Sequence, residues 1–219
     1  MTRDQLARLL DHSVLKPEST AIDIEAGAAV VRAWRIGFYC VQPCWVTYSV
    51  AALAGTGARV ISVVGFPHGC DRPATKAQSA ALAAADGALE IDTVMNIGAL
   101  KSGDNAGVLA DFEAVVRAVP GLPVKVILET AALTDTEKLL ACRLAVDAGA
   151  AFVKTSTGFH PAGGATAADV RLMRAAVGPY IGVKASGGIR NLGDARAMLD
   201  AGANRIGTSA SAAILGAVE

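Results

Sequence analysis

Three lysines lie inside short apolar runs of this sequence, a setting in which a charged side chain needs an explanation. They are Lys125 in Val-Lys-Val-Ile-Leu, Lys154 in Phe-Val-Lys-Thr-Ser and Lys184 in Gly-Val-Lys-Ala-Ser. Lysine is almost never fully buried unless it is paired. Pairing with a carboxylate in a purely structural role is the alternative, and for Lys125 it stays open. We expect Lys154 and Lys184 to be functional, because each ends its run directly before a loop of small residues.

The pair formed by Lys154 and Lys184 predicts a nucleophilic amine. Burial strips hydration from an ammonium group and a second ammonium group repels it, so we expect both effects to lower the lysine pKa values. A lysine that is a free amine near neutral pH attacks carbonyl carbons and forms a Schiff base. The protonated imine withdraws electrons and allows a neighbouring carbon–carbon bond to break or form. This chemistry is that of an aldolase or transaldolase, and spacing alone does not tell which lysine is the nucleophile.

Carboxylates also occur inside apolar runs. Asp92 lies in Glu-Ile-Asp-Thr-Val and Asp11 in Leu-Leu-Asp-His-Ser, where an unpaired acid costs several kcal/mol. We expect Asp92 to carry protons, whereas Asp11 either orients a lysine or a hydroxyl group or is a structural counter-ion. Glu90 alternates with Asp92 and shares its face of a strand. Glu129, which follows another run, is a weaker candidate.

The elements that must position these side chains are eight short apolar runs separated by helix-like stretches. The runs are 10–15, 38–41, 60–64, 90–94, 124–128, 152–154, 181–184 and 205–207. Several helix-like stretches end in Gly, the residue that most readily adopts the left-handed conformation after a helix. Eight β-α units predict an α/β fold, a (β/α)8 TIM barrel with a short extra N-terminal helix over 2–10, as one domain spanning 1–219. An open doubly wound sheet is the alternative, but this sequence lacks the G-x-G-x-x-G motif that such a sheet is expected to have after its first strand.

Helix start signals support this division of the chain. Thr134 and Glu137 have the spacing of a capping box. Thr166 and Asn191 occupy positions typical of N-caps, and Asp104 or Asn105 is expected to cap the helix that reaches Val119.

Loops of small residues follow the last three predicted strands, at 156–158, 186–188 and 207–209, and the last of them opens a helix expected over 210–218. Barrels commonly bind phosphate after their last two strands, next to the start of a short helix. Backbone N–H groups approach a phosphate closely only where side chains are small. The loops therefore predict a small phosphorylated carbonyl compound as the ligand.

Composition excludes several classes of protein. The 219 residues include 20 basic and 20 acidic side chains, and a net charge of zero argues against nucleic-acid binding. No run is long enough for a membrane span and the start of the chain is polar, so we expect a cytoplasmic protein. The four cysteines and three histidines lack metal-ligand spacing, which predicts free thiols, histidines in loops or at strand ends, and no metal or other cofactor.

Seven blocks of the sequence resemble deoxyribose-phosphate aldolases in order and over nearly the whole chain. They are 10–15, 64–67, 90–92 with 96–100, 124–130, 152–159, 183–190 and 205–209. Lys-Thr-Ser-Thr-Gly-Phe and Lys-Ala-Ser-Gly-Gly-Ile-Arg are the most specific. The resemblance implies a class I lyase that reversibly splits 2-deoxy-D-ribose 5-phosphate into acetaldehyde and D-glyceraldehyde 3-phosphate, in deoxyribose phosphate catabolism.

The resemblance also implies roles for individual residues. Lys154 would form the Schiff base, Lys184 would perturb it and assist proton transfer, and Asp92 would relay protons with a water molecule. Asp11 matches a position near the second lysine, and Ser13 one near the substrate hydroxyl groups. The phosphate cradle would consist of Gly158, Gly187, Gly188, Gly207 and Ser209. Thr155 and Cys40 complete the expected substrate contacts, with a buried apolar role as the alternative for Cys40.

Two departures from the family pattern bear on this expectation. Some members end in a tail with a terminal tyrosine that helps to protonate the enamine, whereas residues 215–219 contain none. Donor proton exchange would then be slower or would depend on Asp92 and water alone. The loop Thr208-Ser209-Ala210 lacks a second serine that many members have.

Two other functions remain as alternatives. They are a transaldolase-like enzyme that forms a lysine imine with ketose phosphates, and a phosphosugar-binding barrel without catalytic activity. In all three cases the partners are small molecules, with no nucleic acid and no membrane. Family members are commonly oligomers, and a homodimer or homotetramer is expected.

Overall fold

The computed structural model describes residues 1–218, and Glu219, the last residue of the tail considered above, lies outside them. Eight parallel strands close into a barrel in chain order, with the first strand paired to the last. The strands are β1 (Leu10–Val14), β2 (Phe38–Val41), β3 (Arg59–Val64), β4 (Glu90–Val94), β5 (Val124–Ile127), β6 (Phe152–Lys154), β7 (Gly182–Ser186) and β8 (Arg205–Thr208). The predicted (β/α)8 barrel is therefore confirmed.

Ten α-helices connect or precede the strands in residues 1–218. They are α1 (Arg3–Ala7), α2 (Ala21–Trp34), α3 (Val46–Ala52), α4 (Pro73–Ala85), α5 (Ile97–Lys101), α6 (Asn105–Ala118), α7 (Asp135–Asp147), α8 (Ala167–Val177), α9 (Leu192–Asp200) and α10 (Ser211–Gly216). The extra N-terminal helix is confirmed as α1, although it is shorter than expected. The last helix is also shorter, because α10 begins at Ser211. The longest helices have 14 residues, and none in the described chain combines the length and apolar character needed to cross a membrane.

Helix ends follow the predicted signals with one exception. Thr134 and Glu137 form the capping box of α7, and Gly149 after this helix adopts a positive φ of 83°. After α2, however, Arg35 takes the left-handed conformation, with φ 50° and ψ 42°. Gly37 ends this helix-like stretch in the sequence, and the prediction that such a glycine is left-handed is wrong here. A side chain at Gly37 would begin 3.2 Å from the carbonyl oxygen of Arg8, so close packing on the end of α1 explains this glycine.

The other predicted caps are also formed. The side chains of Asp104, Thr166 and Asn191 accept hydrogen bonds from the first turns of α6, α8 and α9, respectively. Asp104, rather than Asn105, is therefore the N-cap of α6.

Alternate residues of each strand face either the helices or the interior of the barrel, as the pleat requires. On the β2–β3 side the interior is apolar, with Cys40, Ile61 and Val63 packed together. The remaining strands contribute charged side chains, and all three lysines singled out in the sequence are at most 2% exposed. Lys154 ends β6 as expected. The expectation that Lys184 ends its strand is wrong, because β7 continues to Ser186.

Candidate active site

Six charged side chains of the barrel interior form a closed ring in which positive and negative groups alternate. In order around the ring they are Lys184, Asp11, Arg205, Glu90, Lys125 and Asp92. We call this set the charged ring. Because it holds three cations and three carboxylates, its charges cancel. Each member contacts two others, so every charge taken out of water has a partner on both sides, the condition under which buried ions are tolerated.

Four members of the charged ring lie nearer the C-terminal ends of the strands, and we call them its upper half. They are Lys184, Asp11, Asp92 and Lys125. The Nζ of Lys184 contacts Asp11 Oδ2 and donates to Asp92 Oδ2 at 2.8 Å. On the other side, Lys125 Nζ donates to Asp92 Oδ1 at 2.8 Å and lies 2.6 Å from Glu90 Oε2. Lys125, whose role stayed open in the sequence, is therefore a member of the ring that holds Asp92 in place.

The lower half is formed by Glu90 and Arg205, the first residues of β4 and β8. Arg205 Nη1 donates to Asp11 Oδ1 at 2.9 Å and to Glu90 Oε2 at 3.2 Å. Its guanidinium carbon lies 3.4 Å from the ring centroid of Phe38 and 5.3 Å from that of Phe152. Sequence reasoning missed Arg205. The available signal was its place in Arg-Ile-Gly-Thr, where a strand pleat puts residue 205 on the same face as Gly207.

Lys154 stands outside the charged ring. Its Nζ donates to Asp92 Oδ2 at 2.9 Å, the oxygen that also accepts from Lys184. Among the described residues, this carboxylate is its one ion-pair partner, whereas each cation of the ring contacts two. Burial lowers the pKa of Lys154, and although Asp92 opposes this, the charge of Lys184 adds to the lowering. Burial and the charge of Lys184 thus favour loss of the proton from Lys154.

Lys184 behaves in the opposite way. Burial acts to lower its pKa, but Asp11 and Asp92 outweigh burial and raise it. The expectation that both lysines have lowered pKa values is wrong for Lys184, because two carboxylates contact its ammonium group. Burial likewise acts to raise the pKa of Asp92, but Lys125, Lys154 and Lys184 hold it well below the usual value. The site thus combines a lysine of lowered pKa with a lysine of raised pKa and a carboxylate that bridges them.

A cavity of about 680 Å³ opens above Lys154 at the C-terminal ends of the strands. Seven of the residues predicted to act on or bind the substrate line it, namely Ser13, Lys154, Gly158, Gly187, Gly188, Gly207 and Ser209. Gly207 of β8 leaves room for two side chains of β7, since a Cβ there would lie 2.9 Å from Ser186 Cβ and 3.0 Å from Lys184 Cε. The cavity therefore joins the reactive amine to the small-residue loops in one space.

The structure does not bring every predicted residue to the cavity wall. Asp11, Asp92 and Lys184 are fully buried beneath it, and Asp92 and Lys184 adjoin Lys154 directly or through one oxygen. Thr155 Oγ1 instead bonds the backbone of Ser186, donating to its carbonyl and accepting from its N–H, both at 3.0 Å. This contact holds β6 against β7.

Cys40 also lies away from the cavity wall, packed in the apolar half of the barrel. Burial, with a contribution from Asp92, raises the pKa of its thiol to about 11. All four cysteines are free thiols, as predicted. Within residues 1–218, no three His, Cys, Asp or Glu side chains are grouped in a way that would hold a metal ion.

Several residues at the site were missed or undervalued in the sequence. Lys16 and Arg190 are exposed cations in the cavity lining. Glu129 is buried, and its carboxylate accepts from Thr157 Oγ1 at 2.5 Å and from Thr157 N at 3.2 Å. Its backbone is left-handed, with φ 59° and ψ 60°, a strained conformation for a non-glycine residue. Glu129 thereby ties the end of β5 to the loop that carries Gly158.

His12 departs from the expected setting. It lies within β1, is 5% exposed, and its Nδ1 is 3.0 Å from the Oγ of Ser211 at the start of α10. Its ring also stacks on Tyr39 at a centroid distance of 6.0 Å. It faces the helices because the strand pleat turns it away from Asp11. His12 therefore packs between strand and helix instead of lying in a loop.

Comparison with known proteins gives a consistent result. The sequence profile described as DeoC/LacD family aldolase matches residues 6–216. Deoxyribose-phosphate aldolase 1 of Bacillus licheniformis is 52% identical over 212 residues, covering 96% of this chain and 95% of that protein. The deoxyribose-phosphate aldolase of Mycolicibacterium paratuberculosis is 54% identical over 220 residues, covering 98% and 97%. The tetrameric deoxyribose phosphate aldolase of Aeropyrum pernix superposes with a TM-score of 0.90 at 30% identity, covering 98% of this chain and 91% of that structure.

Proposed function

Because this chain belongs to the DeoC/LacD family of aldolases, we propose that it reversibly cleaves 2-deoxy-D-ribose 5-phosphate into acetaldehyde and D-glyceraldehyde 3-phosphate. The observation that carries the proposal is Lys154, an amine outside a neutral ring of buried charges and at the wall of a cavity lined by small-residue loops. The names of relatives about half identical to this chain support the substrate. The mechanism is that of a class I aldolase.

The first half of the reaction forms the imine. The free amine of Lys154 attacks the aldehyde carbon C1, and the resulting carbinolamine loses its hydroxyl group as water. The ammonium group of Lys184 supplies the proton for this departure through Asp92, whose Oδ2 lies within 2.9 Å of both lysine nitrogens. Sharing one carboxylate oxygen between the two nitrogens keeps this proton path short.

The second half breaks the bond between C2 and C3. A base accepts the C3 hydroxyl proton, the C3–O bond becomes a carbonyl, and the C2–C3 electron pair moves into the iminium group as an enamine. Asp92, acting through a water molecule, is the group placed to take that proton and return it to C2. Water then hydrolyses the iminium and releases acetaldehyde from Lys154. Ser13, a residue of β1 in the cavity wall, would on this proposal bind the substrate hydroxyl groups.

The phosphate group is bound, on this proposal, by the loops after β6, β7 and β8. Gly158, Gly187 and Gly188 have positive φ values of 84°, 89° and 81°. Such backbone conformations turn successive N–H groups towards one space and form an anion-binding concavity. A Cβ at Gly188 would meet nothing within 4 Å, so this backbone is open to a ligand. Lys16 and Arg190 are the exposed cations of the cavity lining, which also holds the exposed carboxylates of Glu18 and Asp23, and on this proposal the two cations face the phosphate.

Trapping the imine tests this function. Incubation with acetaldehyde followed by borohydride reduction is expected to leave an ethyl group on Lys154, located by peptide mass spectrometry. An adduct on Lys184 would keep the aldolase class and reverse the two lysine roles. Absence of any adduct, with glyceraldehyde 3-phosphate still bound, would favour the inactive phosphosugar-binding barrel. Turnover of ketose phosphates without acetaldehyde as a donor would favour the transaldolase-like enzyme.

Location and assembly form part of the same proposal. All four cysteines are free thiols, as expected in a reducing compartment such as the cytoplasm. The Aeropyrum pernix relative is described as tetrameric, which supports a homodimer or homotetramer here, with residues 1–219 of each copy forming one barrel domain. Light scattering after size exclusion measures the assembly, and a monomer at working concentration would contradict it.

A further inference from the structure

The lower half of the charged ring has no part in the proposed chemistry. Glu90 is 2% exposed and Arg205 8% exposed, and neither lines the cavity or contacts Lys154. Both begin their strands, at the end of the barrel opposite the cavity. Yet they close the ring, since Arg205 joins Asp11 to Glu90 and Glu90 joins Arg205 to Lys125. A buried charged pair outside the cavity lining needs a reason other than substrate contact.

The position of this pair is tightly constrained. The guanidinium group of Arg205 stacks on Phe38 at 3.4 Å, an arrangement that favours a planar cation over the ring face. Two carboxylates, from Asp11 and Glu90, accept from the same Nη1. Arginine stays charged even when buried, so this cation does not vary with pH. It therefore supplies a constant charge to the interior.

The charges around Lys154 come from most strands of the barrel. Asp92 of β4 and Lys184 of β7 adjoin it, and burial keeps the Cys40 thiol of β2 uncharged by raising its pKa to about 11. The apolar residues Ile61 and Val63 occupy the β3 side. Behind the first layer stand the other members of the charged ring on β1, β4, β5 and β8, namely Asp11, Glu90, Lys125 and Arg205.

We propose that Glu90 and Arg205 are positioning residues whose opposite charges keep the charged ring neutral and thereby set how readily Lys154 binds a proton. The inference rests on the proposed Schiff-base function of Lys154. With the ring neutral, a proton on Lys154 adds a charge that no group in the ring compensates. Loss of a carboxylate from the ring makes that proton less favourable still, whereas loss of a cation makes it more favourable. The two residues thus act on Lys154 in opposite directions.

Opposite charge removals at the two positions test this proposal. The readout is the pH dependence of borohydride-trapped acetaldehyde on Lys154, which falls at acid pH as the amine becomes protonated. E90Q is expected to move this acid limb to lower pH, and R205M to higher pH, each by about one pH unit for a unit charge in the interior. A purely structural role would reduce trapping in both variants without opposite shifts.

Three further variants serve as controls. R205K keeps the charge and is expected to keep the wild-type limb, even though it loses the stacking geometry. The double variant E90Q/R205M restores neutrality and is expected to return the limb to the wild-type position. Arg59 also faces Glu90, at 4.0 Å, but is 55% exposed, so R59M is expected to leave the limb unchanged.

The possible outcomes distinguish failure of the proposed Schiff-base function from failure of the inference about Glu90 and Arg205. Absence of a wild-type adduct on Lys154 would overturn the proposed function itself. If the wild type forms the adduct but the acid limb of E90Q lies at the same pH as that of the wild type, this inference is overturned. It is also overturned if the acid limbs of E90Q and R205M move in the same direction. If R205M does not fold, E90Q and the double variant still decide, because the proposal requires their limbs to differ from each other.

Discussion

Lys154 and Lys184 both contact Oδ2 of Asp92, yet the protein shifts their pKa values in opposite directions. Lys154 has one carboxylate partner among the described residues, and Lys184 has two. Burial penalises both ammonium groups, so the number of partners decides the outcome. The result is one lysine whose pKa is lowered beside one whose pKa is raised, and imine formation uses an amine and an ammonium group together.

Replacement of Lys154 by Leu is expected to abolish cleavage of 2-deoxyribose 5-phosphate and borohydride trapping, with a rate loss of at least about a thousandfold. The fold should persist, because the charged ring remains neutral without this amine. A steady-state assay and a thermal melt check both statements. Turnover that survives in this variant would contradict the mechanism, and a lower melting temperature would contradict the neutrality argument.

Replacement of Lys184 by Leu should have a different signature. It leaves Asp11 and Asp92 with unbalanced negative charge, so the pKa of Lys154 rises and the acid limb of the pH–rate profile moves to higher pH. The loss of a proton donor should also lower the rate by about a hundredfold to ten-thousandfold. The measurement is a full pH–rate profile, and a profile that drops without moving would refute the electrostatic connection.

At the scale of secondary-structure elements, two side-chain contacts fix a loop and a helix against neighbouring strands. The loop after β6 supplies Gly158 to the cavity and is tied to the end of β5 through Glu129. The helix α10 packs against β1 through His12 and Ser211. Each contact gives a prediction that can be measured apart from the reacting groups.

Glu129→Ala removes the acceptor of both Thr157 hydrogen bonds and should loosen the wall of the cavity. We expect KM for the phosphorylated substrate to rise by about tenfold, with a smaller change in kcat, because the reacting amine is untouched. Glu129→Gln keeps an oxygen acceptor and serves as the matched control. Equal KM values for the Ala variant and the wild type would show that the loop is held by other contacts.

His12 predicts a dependence of stability on pH. Burial lowers its pKa to about 4 from an ordinary value of 6.5. As pH falls below 6.5 the unfolded chain binds this proton first, so the free energy of unfolding decreases until about pH 4. Between pH 7 and pH 5 the loss from this residue is about 2 kcal/mol. Urea unfolding at both pH values measures it, and His12→Asn should show a correspondingly smaller difference.

In the molecule as a whole, one set of charges is buried in the barrel interior and another is exposed in the cavity lining. The charged ring lies in the barrel, whereas Lys16 and Arg190 stand exposed at the rim. Salt screens exposed charges strongly, with a Debye length of about 3 Å at 1 M, and buried pairs much less. The two sets of charges should therefore respond differently to ionic strength.

Raising the salt concentration from 0.05 M to 1 M, on the order of the range over which screening becomes complete, should increase KM for the phosphorylated substrate severalfold. The acid limb of the pH–rate profile should stay in place. Kinetics at the two ionic strengths across the pH range check both parts. A limb that moves with salt would mean that solvent reaches the charges around Lys154.

Much of this architecture could be predicted from the sequence, because it depends on patterns of neighbouring residues. These patterns are the short apolar runs, the intervals between them that end in glycine, and helix caps such as Thr134. They identified all eight strands and the starts of α6, α7, α8 and α9. The failures lie where packing overrides local preference. Arg35 rather than Gly37 adopts the left-handed conformation, since Gly37 is needed for close contact with Arg8.

The sequence by itself determined the barrel, the buried lysines and the loops around the cavity. The tertiary structure alone decided how the charges are shared. Which carboxylate faces which cation depends on barrel closure, which brings β8 beside β1 and places Arg205 against Asp11, 194 residues apart. Electrostatic energy depends on distance in space and on burial. The separate roles of Lys154 and Lys184 therefore come from the closed barrel, although the two residues themselves are plain in the sequence.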